Sequence, residues 1–255
     1  MKKLIASGVV ALVTLAAAGT AYAQQSVRIA SSGDYPPFEI TQPDGSLGGF
    51  TIDIANAVCE IQNLDCEWVK QDFDGLIPGL LSNKFDIISG LTISEERKTR
   101  VQFSEHFYRS PVRFFGKEGI EIDPSSVEGF GDYKVGVETA SIMQCYLDKM
   151  LPGLNPTVYR SQDDAYMDLL NGRVDILINQ AIQTQLNFLD KNPGYAFISG
   201  DLEGQGCFGE GTGAAFRPDD TELANTFSEG IKAIRENGTY AEINAKYFPF
   251  DVYGE

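Results

Sequence analysis

The 255-residue sequence has few of the residues on which metal and acid–base chemistry usually depend. It contains one histidine, His106, and four cysteines, none of which form a Cys-x-x-Cys pair. A zinc site needs several such ligands at short spacing, so the sequence argues against one. It also lacks a G-x-S-x-G motif, a metal-spaced histidine pair and a glycine-rich phosphate loop. We therefore expect no metal, no cofactor and no bound nucleotide.

Positive charge is also scarce. Lysine and arginine number 20 against 36 aspartates and glutamates, which gives a formal net charge of −16. Such a surface repels phosphate backbones and anionic lipid headgroups, so we expect no binding to nucleic acid or to a membrane surface. The charge is typical of a well-solvated protein.

Long apolar runs are absent beyond the start of the chain. There, two lysines precede an apolar stretch at 4–18, which is followed by the small-x-small cleavage pattern Ala21-Tyr22-Ala23. This order is typical of a signal peptide, which we assign to residues 1–23. A membrane anchor is the alternative, but the stretch is short for a bilayer, which requires about 20 apolar residues. The mature protein is therefore predicted to be soluble and periplasmic.

The cysteines are predicted to form disulfide bonds, because an exported chain enters an oxidising compartment. Cys59 and Cys66 flank a turn from a predicted helix into a predicted strand. We predict that these two are bonded. Cys145 and Cys207 are the candidates for a second bond, and the sequence alone does not show that they meet.

Short β-rich runs alternate with helical patterns along the chain, which indicates βαβ units and largely parallel sheets. The first set comprises strands at 27–30, 66–70 and 86–88, with helices at 52–60 and 76–81. The second set comprises strands at 134–137, 157–159 and 174–178, with helices at 141–149 and 162–171. The sequence therefore predicts an α/β protein with two modules.

The second module is predicted to be inserted into the first. An extended run at 101–117 leaves the first module, and the glycine-rich stretch 209–213 leads back to it. We assign residues 24–109 and 210–255 to lobe 1, and residues 110–209 to lobe 2. Ligands of open α/β sheets bind at the carboxyl ends of strands, so two facing lobes predict a cleft between them.

Strand-to-helix turns carry the candidate binding residues. One turn contains Thr92 and Arg97 beside a helix start at Ser94. Backbone N–H groups, a hydroxyl and a guanidinium placed together would receive a carboxylate. A second turn contains Glu138 and Ser141, where a helix start could also hold an anion. Each turn is equally consistent with an ordinary helix cap and a surface charge.

Two aromatic loops are candidates for the walls of a small-molecule site. Tyr35 precedes two prolines that stiffen its loop, and Phe73 lies in a turn between Asp72 and Asp74. Aromatic residues near proline also pack in protein cores. For Tyr35 and Phe73, a place in the wall of a site and a place in the core therefore both remain open.

In their order along the chain, these features resemble the polar amino-acid family of periplasmic solute-binding proteins. The resemblance is greatest to the lysine/arginine/ornithine and histidine receptors and their opine-binding relatives. It runs from residue 27 to the end and includes Cys59, Cys66, Trp68-Val69, Asp72-Phe73-Asp74, 89–97, 209–213, Lys246-Tyr247-Phe248 and Tyr253-Gly254-Glu255. It implies two Rossmann-like lobes joined by two hinge strands, the type II periplasmic binding protein fold. It also implies a monomeric receptor that delivers an amino-acid-like ligand to the permease of an ABC importer.

The resemblance further implies a role for each residue of the cleft. Arg97 would clamp the ligand carboxylate, together with the Thr92 N–H and Ser141 of the other lobe. Tyr35 and Phe73 would enclose the ligand side chain. The contacts to the amino end of the ligand would come from the Thr92 hydroxyl, Ser89 and the Gly90 carbonyl.

Several positions depart from the basic amino-acid receptors of that family. The acid expected to pair with the α-ammonium corresponds to Gln180, and the acid expected to hold a distal cation corresponds to Ser32. Glu138 and Met143 stand where those receptors carry neutral or polar residues. A neutral amide does not supply the charge that a desolvated ammonium requires. We therefore expect an opine or another amino-acid derivative, or an ordinary polar amino acid if Glu138 takes over the ammonium.

Two other functions remain open at this point. An enzyme on the same scaffold, such as a dehydratase, would need an acid or base in the cleft, and Glu138 and His106 are the available groups. The second alternative is a ligand-binding partner of a sensor. Because no catalytic motif is present, the sequence favours a binding protein over an enzyme.

Overall fold

A computed structural model describes residues 25–254 of the chain. The predicted signal peptide at 1–23 lies outside the described residues. Within 25–254, no helix has the length and apolar character needed to cross a membrane.

Strands and helices alternate along most of the described chain. The strands are β1 (Gln25–Ser31), β2 (Asp34–Tyr35), β3 (Glu39–Thr41), β4 (Leu47–Gly48), β5 (Leu64–Lys70), β6 (Ile87–Thr92), β7 (Gln102–Tyr108), β8 (Val112–Lys117), β9 (Val135–Glu138), β10 (Thr157–Tyr159), β11 (Ile176–Gln180), β12 (Tyr195–Phe197) and β13 (Thr212–Phe216). The α-helices are α1 (Phe50–Ile61), α2 (Leu76–Leu81), α3 (Glu95–Lys98), α4 (Ile142–Met150), α5 (Gln162–Leu170), α6 (Ala181–Asn187), α7 (Thr221–Glu236) and α8 (Thr239–Tyr247).

The first lobe is built on a five-stranded sheet in the order β5, β1, β6, β13, β7. Strand β1 pairs in parallel with β5 and β6, whereas β13 runs antiparallel to both of its neighbours. The sheet is covered on both faces: Ile29 packs in the core of α1 and α7, and Ala30 packs in that of α2. This explains why two consecutive residues of β1, Ile29 and Ala30, are both apolar and buried.

The second lobe repeats this arrangement. Its sheet has the order β10, β9, β11, β8, β12, with β9 parallel to β10 and β11. Strand β8 is antiparallel to both of its neighbours, like β13 in the first lobe. Its core includes Phe114, Val137, Ile142, Leu147 and Ile178.

Two segments connect the lobes. Residues 109–111 join β7 to β8, and residues 198–211 join β12 back to β13. The chain therefore leaves the first sheet, builds the whole second sheet and returns. The residue limits 24–109, 110–209 and 210–255 stay a prediction.

Local predictions succeed where the apolar periodicity is strong. The helix predicted at 52–60 is α1, and Ser94 caps α3 by accepting a hydrogen bond from the Arg97 N–H at 3.3 Å. The strand predicted at 86–88 is too short, because β6 continues through Gly90 to Thr92. Helices α6 and α8 were not predicted, since neither begins with a side-chain cap that the sequence would reveal.

Both disulfides are present. The bond between Cys59 and Cys66 joins α1 to β5 within the first lobe. The bond between Cys145 and Cys207 joins α4 to the second connecting segment. Cys145 and Cys207, which the sequence alone did not show to meet, are therefore bonded. Their bond fixes a helix of lobe 2 to the chain just before the chain returns to lobe 1.

The two bonds are expected to differ in their contribution to stability. Cys145 and Cys207 are separated by 62 residues and Cys59 and Cys66 by 7. From loop-closure entropy, replacing Cys145 and Cys207 by alanine should lower the free energy of unfolding by about 4 kcal/mol. Replacing Cys59 and Cys66 should lower it by about 2 kcal/mol. Urea unfolding of the two double variants measures both values. Equal losses would contradict the entropic origin of the difference.

Candidate ligand-binding site

A crevice lies between the two lobes. Its lining residues come from both sheets, mostly from strand ends and the turns that follow them. They are Ser32, Asp34, Tyr35, Glu39, Phe73, Gly90, Thr92, Arg97, Tyr108, Glu138, Ser141, Ile142, Met143 and Gln180.

Most of the residues predicted for the site line this crevice. Ser89 is the exception: it is 1% exposed, and its hydroxyl donates to the Thr51 carbonyl at 3.4 Å. Ser89 lies within β6, which continues to Thr92, and alternate side chains of a strand point to opposite faces, so Ser89 points away from the crevice that Gly90 and Thr92 line. The sequence-based prediction missed Glu39, Tyr108 and Ile142 and did not single out the side chain of Asp34.

Arg97 is held between the lobes by two carbonyl groups. Its Nη1 donates to the Thr92 carbonyl at 3.0 Å, and its Nη2 donates across the crevice to the Ala140 carbonyl at 3.1 Å. Burial lowers the pKa of Arg97 to about 10, against a raising effect of Glu96 and Glu138, so the guanidinium stays charged at neutral pH. A guanidinium has five N–H donors, and the remaining ones are available to a carboxylate.

The loop opposite Arg97 has an unusual backbone. Ala140 has a positive φ of 56°, which costs a non-glycine residue about 1 kcal/mol. In this conformation the Ala140 carbonyl accepts a hydrogen bond from Arg97, and the Ala140 N–H donates to Gln144 Oε1 at 2.8 Å. Ser141 caps α4, accepting from the Gln144 N–H at 3.1 Å, and its hydroxyl donates to the Glu138 carbonyl at 2.7 Å. The Ser141 hydroxyl, a predicted ligand contact, is therefore already engaged in capping α4.

Glu39 is a buried carboxyl in the wall of lobe 1. Its Oε2 accepts from the N–H and the hydroxyl of Ser32, each at 3.2 Å, and from the Ser31 hydroxyl. Burial raises the pKa of Glu39 to about 7, and the negative charge of Asp34 adds to this effect. A Cβ at Gly90 would overlap this carboxyl group, so only glycine fits beside it. The sequence indicated that the acid expected at Ser32 is missing. The carboxyl group of Glu39, which lies on β3, occupies this part of the wall instead.

Glu138 places a second buried carboxyl in the wall of lobe 2. It ends β9 and is 6% exposed. Burial, together with the negative charges of Asp34 and Glu39, raises its pKa to about 8 against the lowering effect of Arg97. The lining therefore combines three carboxyl groups with one guanidinium, an arrangement that suits a ligand with more positive than negative groups.

Aromatic rings complete the walls in lobe 1. The Tyr108 ring stacks on Phe38 with centroids 3.9 Å apart, and Tyr35 lies 6.1 Å from the same ring. The Arg97 guanidinium lies 5.7 Å from the centroid of Phe73. These contacts hold the rings in place around the crevice, as a site for a flat or extended side chain requires.

Two other predicted groups have different surroundings. Gln180 reaches the crevice, but its amide also hydrogen-bonds to hydroxyls of lobe 1. His106 lies outside the crevice lining, with Nε2 3.2 Å from the Tyr253 carbonyl oxygen and its ring packed on Tyr253. The enzyme hypothesis thereby loses one of its two candidate groups. Among residues 25–254, no cluster of three or more metal-ligating side chains occurs.

Together, the two sheets, their two connections and the crevice define a two-lobed α/β binding protein. A profile of the bacterial extracellular solute-binding proteins, family 3, matches residues 27–250. The chain belongs to this family, which confirms the resemblance found in the sequence.

Individual relatives match over nearly their whole lengths. The chain is 43% identical over 259 residues to the L-arginine-binding protein of Pseudomonas aeruginosa, covering 100% of this chain and 99% of that protein. It is 34% identical over 251 residues to the lysine/arginine/ornithine-binding periplasmic protein of Escherichia coli, covering 96% of each. The structure of a Salmonella typhimurium periplasmic binding protein of high arginine specificity matches with a TM-score of 0.79 at 29% identity, covering 88% of this chain and 99% of that one. The predicted type II periplasmic binding protein fold is confirmed.

The buried acids lead to a prediction about stability and pH. The folded pKa values of Glu39 and Glu138, about 7 and about 8, exceed the ordinary value of 4.5. The folded state therefore holds extra protons between these values, and the stability present below pH 4.5 is lost as the pH rises through about 8. The loss should be on the order of 3 kcal/mol for each acid.

Urea unfolding of the ligand-free protein at pH 5 and pH 8.5 measures this loss. The double variant Glu39→Gln, Glu138→Gln should show a much smaller difference between the two pH values than the wild type. Glu60→Gln, which replaces an exposed glutamate on α1, is the control and should behave like the wild type. Equal pH dependence in the double variant and the wild type would contradict the burial of these acids.

Proposed function

We propose that the chain is the exported, periplasmic receptor of an ABC importer for a basic amino acid, with arginine as the first candidate. The observation that carries this proposal is the charge of the crevice, which holds Asp34, Glu39 and Glu138 against the single cation Arg97. Arginine brings one carboxylate and two positive groups. Export through residues 1–23 and docking on an inner-membrane permease are parts of the same proposal.

The position of each charged group suggests an orientation for the ligand. The α-carboxylate would occupy the free N–H donors of Arg97. Glu138 is near enough to Arg97 to affect its pKa, so it would meet the α-ammonium next to that carboxylate. Glu39 lies on the Ser31 and Ser32 wall of lobe 1 and would pair with the distal guanidinium. The rings of Tyr35 and Phe73 would enclose the chain between the two ends.

This assignment changes the inference drawn from the sequence about the ligand. The absence of acids at Ser32 and Gln180 suggested an opine, whereas Glu39 and Glu138 supply carboxyl groups to the same crevice. The names of the two relatives and of the Salmonella protein agree with a basic amino acid. A role in binding rather than turnover also agrees with those names.

An opine derived from arginine is the second candidate, because Gln180 is neutral and an opine nitrogen is substituted. Its additional carboxylate would, however, enter a crevice that already holds three carboxyl groups. Such a group finds no further cation among the lining residues, so we expect weaker binding.

Closure of the lobes would follow from population shift. A ligand favours the closed form only by the contacts that this form adds. Here the ligand would supply such contacts by binding Arg97 of lobe 1 with its carboxylate and Glu138 of lobe 2 with its ammonium group.

A panel of arginine analogues tests the distal site. Citrulline keeps the shape of arginine but lacks the positive charge, so it would leave Glu39 buried without a partner. Arginine should bind about 100-fold more tightly than citrulline, measured by titration calorimetry at pH 8.5. In Glu39→Gln the ratio should fall to a few-fold, and in Glu60→Gln it should not change. Tighter binding of citrulline or octopine than of arginine would refute the proposed ligand class.

A second panel tests the carboxylate clamp. Agmatine is arginine without its carboxylate, so the wild type should prefer arginine by about 100-fold. Arg97→Met should lose most of this preference, because the methionine cannot bind a carboxylate. Arg100→Met removes an exposed arginine one turn further along and is the matched control. If Arg97→Met keeps the preference, the carboxylate lies elsewhere.

A further inference from the structure

The last two residues of β11 make an unusual set of contacts between the lobes. Asn179 is fully buried and Gln180 is 5% exposed. The Tyr35 hydroxyl lies 2.9 Å from Asn179 Oδ1 and 3.2 Å from Gln180 Oε1. The Tyr108 hydroxyl donates to Gln180 Oε1 at 3.2 Å, and Gln180 Nε2 donates to Thr92 Oγ1 at 3.3 Å. Two neighbouring amides of lobe 2 are thus hydrogen-bonded to three hydroxyls of lobe 1.

We propose that these five residues form a closure lock, in which the amides of Asn179 and Gln180 fasten lobe 2 to the hydroxyls of Tyr35, Tyr108 and Thr92. The hydroxyls and amides belong to different lobes, so the bonds exist only when the lobes are together. The lock therefore stabilises the closed form with or without a ligand, and it slows release of the ligand once the lobes have closed.

The amide at position 180 takes both hydrogen-bonding roles in the lock. Gln180 accepts a hydrogen bond from Tyr108 and donates one to Thr92. An ionised carboxylate donates no hydrogen bond, so the Thr92 hydroxyl would have to donate to it and the direction of that bond would reverse. It would also add a further negative charge to a crevice that already contains three carboxyl groups.

Asn179 also forms a hydrogen bond within lobe 2. Its Nδ2 donates to Gln183 Oε1 at 2.9 Å, and the same oxygen accepts from the Tyr166 hydroxyl at 2.6 Å. Gln183 is fully buried. The amide of Asn179 is therefore fixed with its oxygen toward lobe 1. Because this side chain is already ordered, little conformational entropy is lost when the lock forms.

The test removes single hydroxyls while keeping the aromatic rings. In Tyr35→Phe and Tyr108→Phe, the dissociation rate of arginine should rise about three- to tenfold, with the association rate unchanged. Tyr240→Phe is the matched control, because the Tyr240 hydroxyl donates to the Phe107 carbonyl at 2.7 Å inside lobe 1. That variant should be less stable but should release arginine at the wild-type rate. Stopped-flow fluorescence measures both rates.

Small-angle X-ray scattering of the ligand-free proteins separates the lock from direct ligand contacts. The combined variant Tyr35→Phe, Tyr108→Phe should have a larger radius of gyration than the wild type, and Tyr240→Phe should not. Unchanged dissociation rates, or equal radii for the combined variant and the wild type, would overturn the lock. If arginine binds none of the proteins, the proposed ligand is wrong, and the scattering comparison alone decides about the lock.

Discussion

The crevice between the lobes buries an excess of negative charge. Glu39 and Glu138 are both buried, and a buried carboxylate without a cation is costly. Their raised pKa values express that cost. Arg97 offsets it only in part, because its guanidinium is also held by two carbonyl groups. Under the proposed function, a ligand that brings positive charge would complete the site and favour closure of the lobes.

The fold supplies these groups from strand ends in two separate sheets. Arg97 follows β6 in lobe 1, and Glu138 ends β9 in lobe 2. The close approach of Gly90 to Glu39 and the left-handed backbone of Ala140 adapt the turns to their charged neighbours. The lining of the crevice and the contact between the lobes therefore come from the same short stretches of chain.

Much of this arrangement could be predicted from the sequence, because it depends on local patterns. Apolar periodicity indicated both modules, and Ser94 with its following acids indicated the helix start that orients Arg97. Glu39 was missed because it reaches the Ser32 wall through pairing of the short strands β2 and β3, which a local pattern does not reveal. Gln180 was interpreted as a ligand contact alone, because its hydrogen bonds involve residues 72 to 145 positions away. Contacts of that range depend on how the lobes meet, and no periodicity encodes them.

A crystal structure of the protein in complex with arginine would show which groups of the ligand meet the charged residues of the crevice. We expect the ligand carboxylate on the Arg97 guanidinium, the α-ammonium at Glu138 and the distal guanidinium at Glu39. A ligand bound in the opposite direction, or with its carboxylate away from Arg97, would contradict this expectation.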